Sequence, residues 1–171
     1  AAAMASGLWN INFLVCEDLM ALERIEVPAF DYIILNDLYS TVPLDVQTSL
    51  LPICGRLLSE SGILYVRYNT YPGWHGRDLV RAFMLRAAFG ADTSGQRVSI
   101  ARRALDDLNI AYAQTGDAYA KLLEDEKARI NSMHDDALMR GLMGVENHPV
   151  YVDNFLALAD EANLQFISEA N

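Results

Sequence analysis

The chain has 171 residues, enough for one good core or for a small domain carrying a helical appendage. Its 52% hydrophobic and 21% charged content is that of a globular protein rather than a disordered one. The net charge of -10 argues against a phosphate-tracking nucleic-acid binder, and no apolar run is long enough to span a membrane. The first residues, Ala1-Ala2-Ala3-Met4, leave open a processed chain, a cloning product, or an internal piece of a longer protein. Residues 1–7 read as the tail of a helix stopped at Gly7, and residues 10–15 as a strand. Residues 16–19 leave the carboxyl end of that strand. A short helix over 19–25 turns Leu22 inward, and Pro28 ends the segment.

The run from Phe30 to Trp74 organises the rest. Residues 30–35, β-branched and aromatic with Asn36-Asp37 behind them, predict a strand buried on both faces, as in a parallel sheet. Val42-Pro43 opens a helix, because proline fits the first helical position without losing a needed N–H. Leu44, Leu50, Leu51, Ile53, Leu57 and Leu58 form its apolar face, and Ser61-Gly62 is its expected stop. Residues 63–68 read as the next buried strand. The product is a βαβ unit with a right-handed crossover, whose ligand would sit outside the carboxyl ends of the strands. Residues 36–41 and 69–75 lie there.

Beyond Trp74 the apolar period becomes helical. A helix over 78–89 is expected to carry Leu79, Phe83 and Leu85 on or near one face and to close at Gly90. Residues 91–95 look like a small polar linker. Helices follow over 96–114, 117–133 and 135–143. Asn147-His148-Pro149 breaks the run. A helix over 150–162 carries Phe155, Leu156, Leu158 and Ala159 inward, and residues 164–168 look like a strand. The sheet is thus expected to resume after the helical block, which makes that block an insertion.

The aromatic residues Tyr39, Tyr68, Tyr71 and Trp74 gather around the expected cleft, where aromatic faces attract an alkylammonium group. The alternative for them is a core position with a wet hydroxyl end. His75, His134 and His148 have no ligand spacing, and Cys16 and Cys54 no metal or redox spacing, so no metal site is expected. Two reduced thiols fit a cytoplasmic protein. Arg77 and Arg81 share a helical face, which is read first as a solvated surface; the alternative is that they meet Glu124-Asp125-Glu126 or an acidic partner.

A strand leading to Glu17-Asp18-Leu19, then Phe30-Asp31-Tyr32-Ile33-Ile34, then Leu38-Tyr39-Ser40 ahead of Val42-Pro43, resembles the middle of a class I S-adenosylmethionine-dependent methyltransferase. Three further runs are similar to bacterial methyltransferases with a methyltransferase regulatory domain, including protein-lysine methyltransferases of rickettsial type. These are Tyr68-Asn69-Thr70-Tyr71-Pro72-Gly73-Trp74-His75, Asn147-His148-Pro149-Val150-Tyr151, and Leu164-Gln165-Phe166-Ile167-Ser168-Glu169-Ala170.

The resemblance implies an α/β fold, a partial Rossmann-like methyltransferase sheet with an all-α helical insertion. Its parts would be residues 1–76 (sheet core), 77–146 (regulatory insertion) and 147–171 (helix and strand returning to the sheet). Glu17, Asp18, Leu19 and Asn36 are the implied cofactor contacts, with Asp18 accepting from the adenine amino group and Leu19 packing on the ring. A helix cap is the alternative for Asp18. Asn36, Asp37 and Tyr39 are the implied catalytic group, with an Asx turn as the alternative for the first two. Tyr71 and Trp74 are the implied substrate contacts, and a protein lysine is the implied acceptor.

The chain departs from the family pattern in three places. It has no Gly-x-Gly-x-x-Gly loop, no ribose-holding acid after a second strand, and Asn36-Asp37 and Thr41 where the family often has a histidine-glycine pair and a tryptophan. This chain alone is therefore expected to bind S-adenosylmethionine weakly or not at all. The other reading is a non-catalytic regulatory or protein-interaction module, whose exposed edges call for a partner or a homo-oligomer.

Overall fold

The computed structural model describes residues 18–170. The expected helix tail, the strand over 10–15, Cys16 and Glu17 lie outside them. The described chain opens with a 3-10 helix, Leu19–Arg24, capped by Asp18. Strand β1 (Phe30–Asn36), helix α1 (Leu44–Leu57) and strand β2 (Leu58–Arg67) follow. The two strands pair in parallel, from Tyr32 against Ile63 to Asn36 against Arg67. The expected βα-β order and strand direction are therefore present.

Two details differ from the sequence reading. The helix ends at Leu57, and Leu58 is already extended (φ -73, ψ 145), so residues 58–61 belong to the strand rather than to a helix end. A register shift between Phe30 and Tyr32 absorbs the extra length. Gly62 sits at that irregularity, where a Cβ would lie 2.9 Å from the Phe30 carbonyl oxygen. The second difference concerns burial. Helix α1 and the last helix cover one face only, over Ile33, Leu35, Leu64 and Val66. On the other face Tyr32 is 71% and Ile34 68% exposed, so β1 is not buried on both sides. Leu44 is likewise exposed, because it opens α1 on the solvent side.

A two-residue strand, β3 (Thr70–Tyr71), leads into α2 (His75–Ala87), α3 (Ser94–Tyr112), α4 (Ala118–Asn131) and α5 (Asp135–Gly141). Helix α2 buries Val80 and Met84, with Ala88 buried at its C-cap, whereas Leu79 and Phe83 are exposed. The sequence offers adjacent apolar stripes at 79/83 and 80/84, and packing against α3 and α4 selects the second. The expected linker is in part a cap: Thr93 Oγ1 accepts the Gln96 N–H at 3.2 Å, and Gln96 Oε1 accepts the Thr93 N–H at 3.2 Å. Ser94 and Gly95 are therefore already helical. Arg102 ties α3 to the end of α4, donating to the carbonyls of Ile130 at 2.6 Å and Met133 at 2.8 Å. Helix carbonyls that lack partners are satisfied in this way.

The chain returns through β4 (Val150–Tyr151), which pairs in parallel with β3, and ends its helical part in α6 (Val152–Glu161). Residues 164–168 form no strand. Leu164 bonds back to the Ala159 carbonyl at 2.9 Å and packs on the sheet core, while Phe166 and Ile167 are exposed. Strand-like composition gives no strand without a neighbour to pair with, and no described strand runs beside this segment.

Among the described residues, two hydrophobic cores result. One gathers Leu35, Tyr39, Val42, Leu50, Leu51, Cys54, Ala159 and Ala162 around the sheet. The other runs from Trp74 to Met143 through α2–α5.

Candidate functional site

The carboxyl ends of β1 and β2 open onto the turn that follows β1. Asn36 ends β1 opposite Arg67 and is exposed. Asp37 adopts φ 58, a conformation aspartate tolerates better than most residues. Its carboxylate meets the Arg67 guanidinium at 3.2 Å, with both side chains more than half exposed. Thr41 Oγ1 closes the turn by donating to the Asp37 carbonyl at 2.7 Å.

Tyr39, grouped by sequence with Asn36 and Asp37, is fully buried beneath them. Its ring packs edge-on against Tyr68 (5.9 Å) and Phe155 (5.3 Å), and Tyr68 stacks on Phe155 at 4.2 Å. Burial pushes the Tyr39 phenol above its ordinary pKa, with Tyr68 adding to the effect. A phenol held neutral in the core shapes the floor of the turn.

The second segment is locked to the returning chain. Asn69 donates its side-chain amide to Asn147 Oδ1 at 2.8 Å, and its carbonyl accepts the Val150 N–H at 3.1 Å. Asn147 donates in turn to Asp78 Oδ1 at 3.3 Å, and the Tyr71 hydroxyl donates to Asp78 Oδ2 at 2.6 Å. Thr70 Oγ1 donates to the Val150 carbonyl at 3.0 Å. The Tyr-Asn-Thr-Tyr-Pro-Gly-Trp and Asn-His-Pro-Val-Tyr runs are thus two halves of one junction. The hydrogen bond to Asp78, helped by desolvation, pushes the Tyr71 phenol up to about 12.

Tyr71 stacks on His75 at 4.2 Å and lies 5.4 Å from Tyr151, while His75 Nε2 is 3.3 Å from the Tyr151 hydroxyl. Between the stacked faces of Tyr71 and His75 no gap remains for an alkylammonium group. Trp74 departs from this cluster. It is 8% exposed inside the helical core, its indole N–H has no partner, and the Arg77 guanidinium lies 5.0 Å from its ring centroid. Arg77 also reaches Glu126 at 3.3 Å, so the acidic alternative holds for it. Arg81 instead donates to the Gly144 carbonyl at 2.6 Å.

On the approach to β1, Asp18 Oδ1 accepts the Met20 N–H at 2.9 Å, so the helix cap is formed. A carboxylate has lone pairs enough to serve a second donor as well. Leu19 is half-buried against the sheet core. Among the described residues no group of three or more His, Cys, Asp or Glu side chains has metal-ligand geometry, and no helix is long and apolar enough to cross a membrane. Two open depressions lie away from the carboxyl edge. One, of about 630 Å³, lies between α3 and α4 beside Asn109 and Lys121; the other, of about 520 Å³, lies beside Asp160 and Phe166.

Sequence reasoning missed Gln47 and Asp78 as parts of this region, and it placed Ser40 at the edge without a role. Asn147 and Tyr151 were visible only as members of a run, and nothing in spacing links Asp78 to Tyr71 or Gln47 to His148.

No family model matches the chain. Over 169 residues, 98% of its length, it is 30% identical to the uncharacterized protein RP789 of Rickettsia prowazekii, covering 30% of that protein. It is 28% identical over 132 residues to the uncharacterized protein RP028 of the same organism, covering 77% of this chain and 53% of that one. With the uncharacterized protein sll1526 of Synechocystis it shares 24% identity over 171 residues, 99% of this chain and 33% of that protein. The chain therefore spans between about a third and about half the length of these curated relatives. Among solved structures, PKMT2 from Rickettsia typhi is similar with 30% identity and a TM-score of 0.64, over 79% of this chain and 25% of that one. The same protein in complex with AdoHcy gives a TM-score of 0.68 at 30% identity, over 79% and 26% of the two chains. In sequence and fold this chain is methyltransferase-like, a relative of PKMT2 that carries part of that scaffold.

Proposed function

We propose that the chain is the central part of an S-adenosylmethionine-dependent methyltransferase whose acceptor is a protein lysine. One observation carries the reading: a parallel β1–β2 pair delivers Asn36 and Asp37 to its carboxyl edge, beside the junction of the two family-like runs, in a chain 30% identical to a protein solved with AdoHcy. Asp18 and Leu19, on the approach to β1, offer an acceptor carboxylate and an apolar side chain, the chemistry that the adenosyl end of the cofactor calls for. Asp18 would accept from the adenine amino group, Leu19 would pack on the ring, and Glu17 and Asn36 would flank it. When bound, S-adenosylmethionine supplies an electrophilic methyl group.

The protein's own contribution would be orientation and proton handling. Methyl transfer requires in-line approach of the acceptor nitrogen, so holding it in place supplies much of the rate. Asp37 would orient the acceptor amine and receive its proton, and Asn36 would fix the approach. Tyr39 would hold the turn from below. Tyr71, on the half-buried side of the junction, would flank the acceptor, with Trp74 supporting its loop from the helical core. A cytoplasmic, reducing setting belongs to this reading, since Cys54 is free and buried. The division into residues 1–76, 77–146 and 147–171 also belongs to it, with the middle part as regulatory insertion.

Calorimetry with AdoHcy tests the reading, run on this chain and on a version extended to the length of its relatives. The extended version should bind, and this chain weakly or not at all, because the glycine-rich loop is absent from it. Tight binding to this chain alone contradicts the assignment of that loop, and no binding by either contradicts the methyltransferase reading.

The open sheet face favours the second reading. Tyr32, Ile34, Ile63 and Tyr65 are all at least 40% exposed, a face that a non-catalytic scaffold would offer to a partner or to a second copy. Light scattering at high concentration decides this: a clean monomer counts against self-association.

A further inference from the structure

Three distant segments of the chain meet at Ser40 and Gln47. Among the described residues these are the buried polar side chains, 1% and 3% exposed. Ser40 Oγ accepts the Asn69 N–H at 2.9 Å, and the Ser40 carbonyl accepts the His148 N–H at 2.8 Å. Gln47, in the first turn of α1, donates through Nε2 to the Tyr39 carbonyl at 2.9 Å and to the His148 carbonyl at 2.8 Å. A buried amide with both protons used and a buried hydroxyl in use are costly to disrupt, because each loss strands a polar group away from water.

The position of these bonds matters as much as their number. Asn69 lies just before the helical block α2–α5, and His148 just after it. The two ends are fastened to each other by the β3–β4 pair and by Asp78, which accepts from both Tyr71 and Asn147. The helices of the block pack mainly on one another, and among the described residues their core shares no buried residue with the sheet core. The fastened ends are therefore the main mechanical route from block to sheet, and Ser40 and Gln47 are where that route reaches the turn after β1.

We infer that Ser40 and Gln47 are positioning residues that couple the helical block to the carboxyl-edge turn, so that a shift of α2–α5 passes through Asn69 and His148 to Tyr39 and Ser40, and from there to Asn36 and Asp37. Its functional meaning rests on the site proposed at that turn, whereas the coupling itself holds whatever chemistry the turn performs. The block is then a control element acting on the orientation of Asn36 and Asp37.

Hydrogen exchange followed by mass spectrometry on the 171-residue chain tests the coupling. Ile130→Val loosens the block gently, because Ile130 is fully buried in its core. Exchange should rise by about fivefold in α2–α5, the size expected for the loss of one buried methylene, and by a smaller but measurable factor, at least about twofold, in the peptide covering residues 36–42. In a Gln47→Met background the block should still respond to Ile130→Val, while the turn peptide keeps its Gln47→Met rate. Ser40→Ala, which releases Asn69, should uncouple in the same way and carries the test if Gln47→Met does not fold. A turn peptide that ignores Ile130→Val, or one that responds equally with and without the buried bonds, overturns the inference. The readout involves no cofactor, so failure of the extended protein to bind AdoHcy removes the proposed reaction and leaves the coupling standing.

Discussion

Gly55 gives the sharpest test of how the sheet core is closed. It lies in α1 facing the end of α6, where a Cβ would stand 2.5 Å from the Ala162 carbonyl oxygen, 3.7 Å from its carbon and 3.8 Å from Leu164 Cδ2. Carbon–oxygen contacts of this kind close at about 3.4 Å, so Gly55→Ala must move the two helices apart by roughly 0.9 Å. The oxygen belongs to the backbone and cannot rotate aside. Alanine in a helix interior normally gains about 1 kcal/mol over glycine. Overpacking costs about 1–3 kcal/mol, and a backbone obstacle belongs at the upper end. The expected net loss is about 1–2 kcal/mol, or a Tm lowered by roughly 3–6 °C for a chain of this size. Urea unfolding followed by circular dichroism measures it, with Gly95→Ala as the control. Nothing lies within 4 Å of a Cβ at Gly95, so that change in α3 should be neutral or gain about 0.5 kcal/mol. If Gly55→Ala is as stable as the parent while Gly95→Ala behaves as expected, the α1–α6 contact is not as close as described and the argument fails.

Two further predictions concern titrating groups. Burial pushes the Cys54 thiol up to about 11, so at pH 8.5 it is almost entirely protonated. Iodoacetamide should modify it far more slowly in the folded chain than in urea; equal rates by peptide mapping would refute its burial. The Tyr71 phenol is held at about 12, above its ordinary value of 10.0, chiefly by the hydrogen bond to Asp78. A raised folded pKa means that the bond contributes fully below about pH 10 and is lost as pH climbs through about 12. Tyr71→Phe should therefore cost about 1 kcal/mol near neutrality, with the gap to the parent narrowing above pH 10. A gap that does not change with pH would show that the hydroxyl is not bonded to Asp78.

The βαβ centre of the fold was legible because two apolar runs flank a helix opened by a proline, and each signal is local. The boundary at Leu58 was not legible. Leu58 extends the apolar spacing of α1, and Ser59-Glu60-Ser61 looks like a turn, so only the pairing of Phe30 with Leu58 discloses a strand. The inner stripe of α2 was ambiguous for a different reason: leucine and phenylalanine at 79 and 83 outrank valine and methionine at 80 and 84 in size, and the choice is made by α3 and α4. The capping box at Thr93 and Gln96 was present in the sequence at its usual spacing and outweighs the small polar composition around it. Residues 164–168 carry strand propensity alone, and propensity needs a partner. The apolar faces of β1 were read correctly as apolar; what sequence could not say is that one of them would stand open.

The candidate site divides along the same line. Asn36 and Asp37 follow the end of a strand, and any strand in a parallel pair presents its last residues at the carboxyl edge, so their place could be read from the order of the chain. Tyr39 is two residues past Asp37, yet the turn at φ 58 and the closure by Thr41 send it inward to Tyr68 and Phe155. Short-range position therefore predicts which backbone reaches the edge but not which side chain stays there. The bonds that hold the edge in place span still greater distances: 101 residues separate Gln47 from His148, and 78 separate Asn69 from Asn147. Such pairs leave no periodicity in the sequence. They fall at two runs that sequence had marked as a loop at the carboxyl edge and as a break in the helical block, and each run supplies half of one hydrogen-bonded junction, so changing either half strands polar groups in the other.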